Sequence, residues 1–454
     1  MLTMKLRVVA FVAGACLTAL SACGDLTHVS NVGIVQPIAE NSAAGALARA
    51  AGAGHLFYGI MPSVILTSGT FTDEFINTDF VGNSGEGFLL DGRRPPTASF
   101  PTSEATNFQS LMNTRINLEY AIAALQQYSP GNSALIAQMY AYKGYVEMIL
   151  AEEYCNGIPF SSIDFNGNMV LGSGTTTTAT YNMAITHFDS ALALASPGSN
   201  VAYLAAVGKG RTLADLGQFS AAAAAVSGVP TTFVFNLEYA SNTSLSQTNS
   251  TWSQIFTGYV SIADRQGGTN WSPGNGNGMP FVSAQDPRLP TTLLGNGNDG
   301  YTPRYNFTGW TGFNSLQRLA TGVEAQLIQA EAALAANHND AATTGNGWLG
   351  ILNSLRATAI TPAMAPLADP GNYAARVDLL FYERAFWNFS SANRMSDLRR
   401  LVRQYGRAAD SVFPSGVWKD GLPYGTDVNF AIPTVAGGYE ATNPNFKGCI
   451  DRNA

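Results

Sequence analysis

The sequence predicts a mostly α-helical protein in which tight helical hairpins stack into a curved solenoid and a loop-rich, irregular region packs on them. Three observations lead there. Apolar residues recur at three- and four-residue spacing through long segments. Turn signals such as Ser-Pro-Gly separate those segments by only a few positions. Residues 229–315 lose the helical spacing and become rich in glycine and asparagine.

Residues 26–60 read as an extended tether leading into a first helix, with 43–53 helix-forming but punctuated by glycine. Over 105–128, Leu111, Leu118, Ile122 and Leu125 hold one helical stripe, which Ser129-Pro130-Gly131-Asn132 ends. Leu135, Met139, Tyr142, Val146 and Ile149 carry the next helix over 133–154, closed by Asn156-Gly157-Ile158-Pro159. Two helices joined by so short a turn form an antiparallel hairpin. The pattern repeats over 181–195, with Ala184, Phe188, Ala191 and Leu192, and over 201–216 and 220–226. The link Leu216-Gly217-Gln218-Phe219-Ser220-Ala221-Ala222 resembles the inter-helix turn of a tetratricopeptide repeat. Glycine permits the turn, the aromatic plugs the groove, and small residues let helices approach. A helix over 316–336 (Val323, Leu327, Ala330, Leu334) and a shorter partner over 348–356 open a second group. No Pro- or Gly-rich linker divides the chain. One domain over 23–454 is expected, with helical repeats at about 105–228 and 316–405 around the loop-rich 229–315. That region holds Trp252, Trp271 and Trp310, three of the six tryptophans, and aromatic richness argues for order.

The first residues give a compartment. Lys5 and Arg7 precede an apolar run over 8–19, and Leu20-Ser21-Ala22-Cys23 reads as a lipoprotein processing box. The run is too short to span a bilayer. Residues 1–22 are therefore expected to be a signal peptide, with Cys23 the acylated first residue of the mature chain. Losing two of the 24 basic residues leaves 22 against 31 acidic ones. An acidic chain with no basic run excludes nucleic acid as a partner. Acyl chains at Cys23 hold the protein at a membrane without a spanning helix. With 46% hydrophobic residues a large core is available, whereas the charged share, 12%, is about half the usual one. Such a polar, uncharged surface suits neutral, hydroxyl-rich ligands, or simply long loops. Apart from Cys16 in the leader and Cys23, only Cys155 and Cys449 remain. They are expected to form a disulfide in an extracytoplasmic protein, the alternative being two separate buried thiols.

Further motifs follow in order: Phe71-Thr72-Asp73-Glu74, Tyr154-Cys155-Asn156-Gly157-Ile158-Pro159, Asp286-Pro287-Arg288-Leu289 and Leu327-Ile328-Gln329-Ala330-Glu331-Ala332. Glu383-Arg384-Ala385-Phe386-Trp387, Arg394-Met395-Ser396-Asp397-Leu398-Arg399-Arg400, Ile432-Pro433 and Asn443-Pro444-Asn445 complete the set. Together, on a lipoprotein, they resemble the SusD-like (RagB/SusD) family of outer-membrane nutrient-binding lipoproteins. The resemblance implies a tetratricopeptide-like scaffold with a loop-rich face, capture of oligosaccharide or another oligomer, and a TonB-dependent SusC-like transporter as partner. It also implies an outer-membrane location facing the exterior. Gly24-Asp25-Leu26-Thr27 lacks the acidic run that often marks surface export in that family.

Catalytic spacing is missing. The four histidines, His28, His55, His187 and His338, are far apart, and no HExxH, Cys-x-x-Cys or G-x-S-x-G is present. No cofactor or metal is expected. Glu152/Glu153 and Glu324/Glu331 are the carboxylate pairs to weigh against a hydrolase, and arginine partners are the expected reading. Asp397 and Arg400 read as a helical ion pair. Asp73-Glu74 reads as a cap, with cation ligation the alternative. Phe381, Phe386, Trp387 and Phe389 read as core. Candidate ligand contacts are Trp271, Tyr301, Tyr305 and Trp310, rings set among Asn, Gly and Thr, with Asn270 and Arg304 as polar companions. Loop anchoring is the alternative for each ring, and Arg93-Arg94 is a further candidate. The leading function is binding without cleavage. A peptide-binding or purely structural solenoid is the first rival, a glycoside hydrolase the second.

Overall fold

The computed structural model describes residues 41–80, 87–94, 103–163, 169–241, 248–268, 276–419, 421–433, 443–446 and 448–453. Cys23 and the leader, together with Asn270 and Trp271, lie outside them. Helix α1 (Ala43–Phe71) begins at Ser42, whose hydroxyl accepts from the Gly45 amide. It runs well past the expected 43–53, with Phe57, Met61, Val64 and Ile65 all fully buried. Tertiary burial of that stripe overrides the glycines, and residues 43–60 are helix rather than tether. The helix is long and apolar enough to cross a membrane, and half of its most apolar window is buried inside the fold.

Helices α2 (Ser103–Tyr128) and α3 (Ser133–Glu153) form the first hairpin. Helices α4 (Thr177–Leu194) and α5 (Asn200–Asp215) form the second, capped by Thr176 and Ser199, and α6 (Phe219–Val226) follows the turn at Gly217. Small residues set their spacing. A methyl at Gly144 on α3 or at Gly208 on α5 would lie 2.7 or 2.5 Å from the Phe188 ring on α4. That ring therefore fills the space between three helices. Gly217 takes φ +71°, the left-handed conformation the tight turn requires.

The stretch 229–315 is more regular than its composition suggests. Past the short strands β2 (Ile158–Pro159), β3 (Ser162–Ile163), β4 (Met169–Val170) and β5 (Gly174–Thr175), which follow α3, strand β6 (Val234–Leu237), helix α7 (Ser250–Thr257) and strand β7 (Val260–Ile262) precede a hairpin of β8 (Thr291–Asn296) and β9 (Pro303–Phe307). Strand β7 pairs antiparallel with β1 (Phe75–Asn77), placing Phe75 opposite Ile262 and Asn77 opposite Val260. Strand β10 (Gln317–Thr321) pairs with β6. The expected helix over 316–336 therefore starts only at Gly322, as α8 (Gly322–Ala336), capped by Thr321. A strand partner some 80 residues upstream supplies those backbone bonds, which local spacing cannot reveal. Helices α9 (Trp348–Thr358), α10 (Tyr373–Trp387) and α11 (Arg394–Arg403) complete the second group.

Two cores result. The larger runs through the helices. The smaller gathers Phe75, Ile255, Val260, Ile262, Phe281, Leu289 and Trp310 against Ala385, Phe386 and Phe389. Helix α10 serves both, with Leu380 and Phe381 in the first and Phe386 in the second. Buried ion pairs brace each helical half, and Arg400, 3.2 Å from Asp215, joins the two. Arg211 binds Glu152 at 2.6 Å, Arg400 binds Glu331 at 2.6 Å, and both Arg384 and Arg400 bind Asp397 at 2.7 Å. The C-terminal tail is fastened at the end of α3. Cys155 and Cys449 form a disulfide with sulfurs 1.97 Å apart, and the Ile450 amide donates to the Asn156 carbonyl at 2.6 Å.

Candidate ligand-binding site

The second half of α1 ends where β1 begins, and the chain then crosses in front of α7. The cleft between them has a volume of about 650 Å³. Ser63, Leu66, Thr67 and Thr70 of α1 form one wall, and Ser250, Gln254, Tyr259 and Val260 the other. Asn77, Asp79, Phe80 and the first residues of the short π-helix Gly87–Asp91 close its mouth. Phe80 is 78% exposed and Tyr259 43% exposed, so two ring faces are offered to solvent beside amides and hydroxyls. The Ser250 hydroxyl is buried with no hydrogen-bond partner among the described residues. Flat apolar faces flanked by a few orienting polar groups are what recognition of a hydroxylated ring requires.

The mouth is built on a stiff ribbon. The Thr78 amide donates to the Tyr259 carbonyl and its hydroxyl to the Gly258 carbonyl, both at 2.8 Å. Gly258 ends α7 at φ +90°, and a side chain there would meet Asn298 at 2.5 Å. Behind the ribbon, the buried Lys419 ammonium donates to the Asn77 carbonyl at 2.6 Å and to Asp299 at 3.1 Å. Asp91 accepts from the Asn77 amide at 3.1 Å. Burial pushes the Asp91 carboxyl up to about 7, with Lys419 opposing. Burial also works against ionisation of Asp299, but bonds from Thr302 and Lys419 prevail and hold it below its usual value.

The six candidate contacts separate. Trp310 is only 5% exposed, edge-on to Phe307 and tilted against Phe389 in the smaller core. A ring so enclosed has no face for a ligand: the sequence placed it in a loop, and the fold packs that loop inward. Arg304 donates to the Phe256 carbonyl at 2.8 Å and to the Leu294 carbonyl at 3.1 Å, joining the β8–β9 hairpin to α7. It is a staple rather than a sugar companion. Tyr305 is half-buried against the same core. Tyr301 is 48% exposed near the tip of the hairpin. Asn270 and Trp271 fall on residues not described. Arg93 donates to the Asp427 and Pro414 carbonyls, and Arg94 to those of Phe88 and Pro423, so both act as staples.

Phe80, Asn77 and Asp79 were missed. The signal was present: Asn77-Thr78-Asp79-Phe80-Val81-Gly82-Asn83-Ser84-Gly85 has the same aromatic, amide and glycine mixture that singled out 229–315. The loop-rich stretch supplies one wall only.

The carboxylates weighed for catalysis are in the core, and none lines the cleft. Glu152, Glu331 and Asp397 are bound to arginines. Burial pushes Glu153 up to about 8 and Glu324 up to about 7. Asp73 does not cap a helix: Arg394 binds its carboxylate bidentate at 2.6 and 2.8 Å, and the Met279 amide donates to it at 2.8 Å. Glu74 accepts from the Ser390 amide at 2.9 Å. Among the described residues no cluster of His, Cys, Asp and Glu could hold a metal ion. A larger cavity of about 980 Å³ lies between α6 and α8, lined largely by alanine methyls such as Ala221, Ala224, Ala332 and Ala336. Gln218, Ser220, Gln326, Gln329 and Asn346 also line it, but it holds no exposed ring like Phe80 and Tyr259, and those two rings favour the smaller cleft.

No protein-family model matches the chain, and no curated protein matches it by sequence. Solved structures do match. A SusD superfamily protein from Bacteroides thetaiotaomicron VPI-5482 superposes with a TM-score of 0.63 at 12% identity, covering 90% of this chain and 100% of its own. A SusD-like carbohydrate binding protein from Bacteroides vulgatus ATCC 8482 gives 0.55 at 11% identity, over 79% and 83%. A laminarin binding SusD-like protein gives 0.51 at 13% identity, over 85% and 96%. The chain has the SusD-like fold. Its stacked hairpins are the tetratricopeptide-like scaffold of that fold, and the cleft lies where this scaffold meets the strand-and-loop half.

Proposed function

We propose that this chain is a SusD-family lipoprotein that captures an oligosaccharide in the cleft between Phe80 and Tyr259, without cleaving it, and passes it to a TonB-dependent SusC-like transporter. The observation that carries the reading is the pairing of two solvent-facing rings with amide and hydroxyl groups on a rigid ribbon. Two neighbours of the same fold, described as carbohydrate binding and laminarin binding, support the ligand class. Burial of both carboxylate pairs in the core, with Glu152 and Glu331 bound to arginines, supports binding over hydrolysis. The processing box at Cys23 supports a lipid anchor, and the outer membrane, with the cleft facing the exterior, follows from the resemblance to the SusD-like family.

The test is a glycan array run beside pooled peptides, followed by chromatography of any bound oligosaccharide after long incubation. Retention of oligosaccharides, recovered intact, is expected. Preference for peptides would overturn the ligand class, and shortened products would overturn the non-catalytic reading.

A further inference from the structure

Charge at the cleft mouth narrows the ligand class. Of the residues lining it, Asp79 is the one that carries a formal charge, and none is Lys, Arg or His. Among the described residues no hydrogen bond or ion pair engages its carboxylate; its amide donates to the Asn77 side chain at 3.1 Å, and its carbonyl meets Lys419 at 3.4 Å. Two cations stand behind the lining, and both are committed. Lys419 is fully buried on Asn77 and Asp299. Arg94 lies over the Phe88 ring at 3.9 Å and donates to the Phe88 and Pro423 carbonyls. The stretches that adjoin the lining residues in sequence, 81–86, 95–102 and 242–247, contain no Lys or Arg and one acid, Glu86.

We infer that the cleft selects neutral glycans and excludes uronic-acid and sulfated ones, with Asp79 as the specificity-determining residue. The inference rests on the carbohydrate reading above. A sugar hydroxyl can donate to the Asp79 carboxylate and to the orphaned Ser250 oxygen. A glycan carboxylate or sulfate has no proton to give. It would lose hydration, meet no available cation, and face a like charge at close range.

The probes are arrayed neutral, uronate-containing and sulfated oligosaccharides, read with the wild-type chain, Asp79→Asn and Asp79→Lys, each checked for folding by its melting temperature. Wild-type signal should be confined to neutral sugars. Asp79→Asn should weaken neutral binding and raise the acidic-to-neutral ratio at least tenfold. Asp79→Lys should raise it further, by an amount that shrinks in added salt. Equal wild-type binding of neutral and acidic sugars, or a ratio unmoved by both variants, would overturn the inference while leaving the carbohydrate reading standing. Binding of no sugar at all would overturn that reading and the inference with it.

Discussion

Removing the Phe80 ring separates binding from folding. The side chain is 78% exposed, so Phe80→Ala deletes almost no native packing. Substitutions of that kind move stability by about 0.5 kcal/mol or less. In the proposed complex the ring's apolar area is instead buried by ligand. One aromatic face against a sugar is worth about 1 kcal/mol, a loss of roughly fivefold in Kd. Tyr259 is 43% exposed, and its part in fixing the ribbon runs through its backbone carbonyl, which an alanine keeps. Tyr259→Ala should cost about the same. If the two rings act independently, the double variant loses roughly thirtyfold. Titration calorimetry with an oligosaccharide taken from the array measures the loss, and differential scanning calorimetry checks the fold. A folded double variant that binds as tightly as wild type would refute the ring-platform argument.

Four other outcomes follow from the same reasoning. Cys23→Ala should move the protein from the membrane fraction to the soluble one, read by fractionation and by the absence of acyl mass. Cys449→Ser releases the tail from a closure spanning 294 positions, which the chain-entropy model values at about 5.7 kcal/mol; a fall of several degrees in melting temperature is expected. Trp310→Ala should lower stability by about 3–5 kcal/mol, because its ring is core, and should do so with or without ligand. Burial lifts Glu74 and Glu153 up to about 8 and Glu324 up to about 7, so between their unfolded values near 4.5 and these the folded state holds the extra protons. Stability therefore falls as pH rises from about 5 to 8.5, a direction that melting curves across that window would reverse if wrong.

Helical periodicity made most of the scaffold legible, because α2 to α5 carry their stripes and turns within a few residues of each other. What escaped was non-local. The helix at 43–71 depends on burying Phe57, Met61 and Val64, and the strand at Gln317–Thr321 depends on a partner at Val234–Leu237. The candidate site suffered most. Trp310 and Arg304 share the loop-like surroundings of the solvent-facing candidates, yet one is enclosed by Phe307 and Phe389 and the other is spent on two carbonyls. Composition could not tell a ring that faces solvent from one that holds a loop down. Phe80 and Tyr259 meet across one cleft only because β1 pairs with β7, a contact between positions some 185 apart.

A crystal structure of the chain with an array-selected neutral oligosaccharide tests the central claim most directly. The account predicts sugar density between Phe80 and Tyr259, with hydroxyls within hydrogen-bond distance of Asp79 and Ser250 and every glycosidic bond intact. Density seated instead in the alanine-lined groove between α6 and α8, with the Phe80 cleft holding only water, would contradict it.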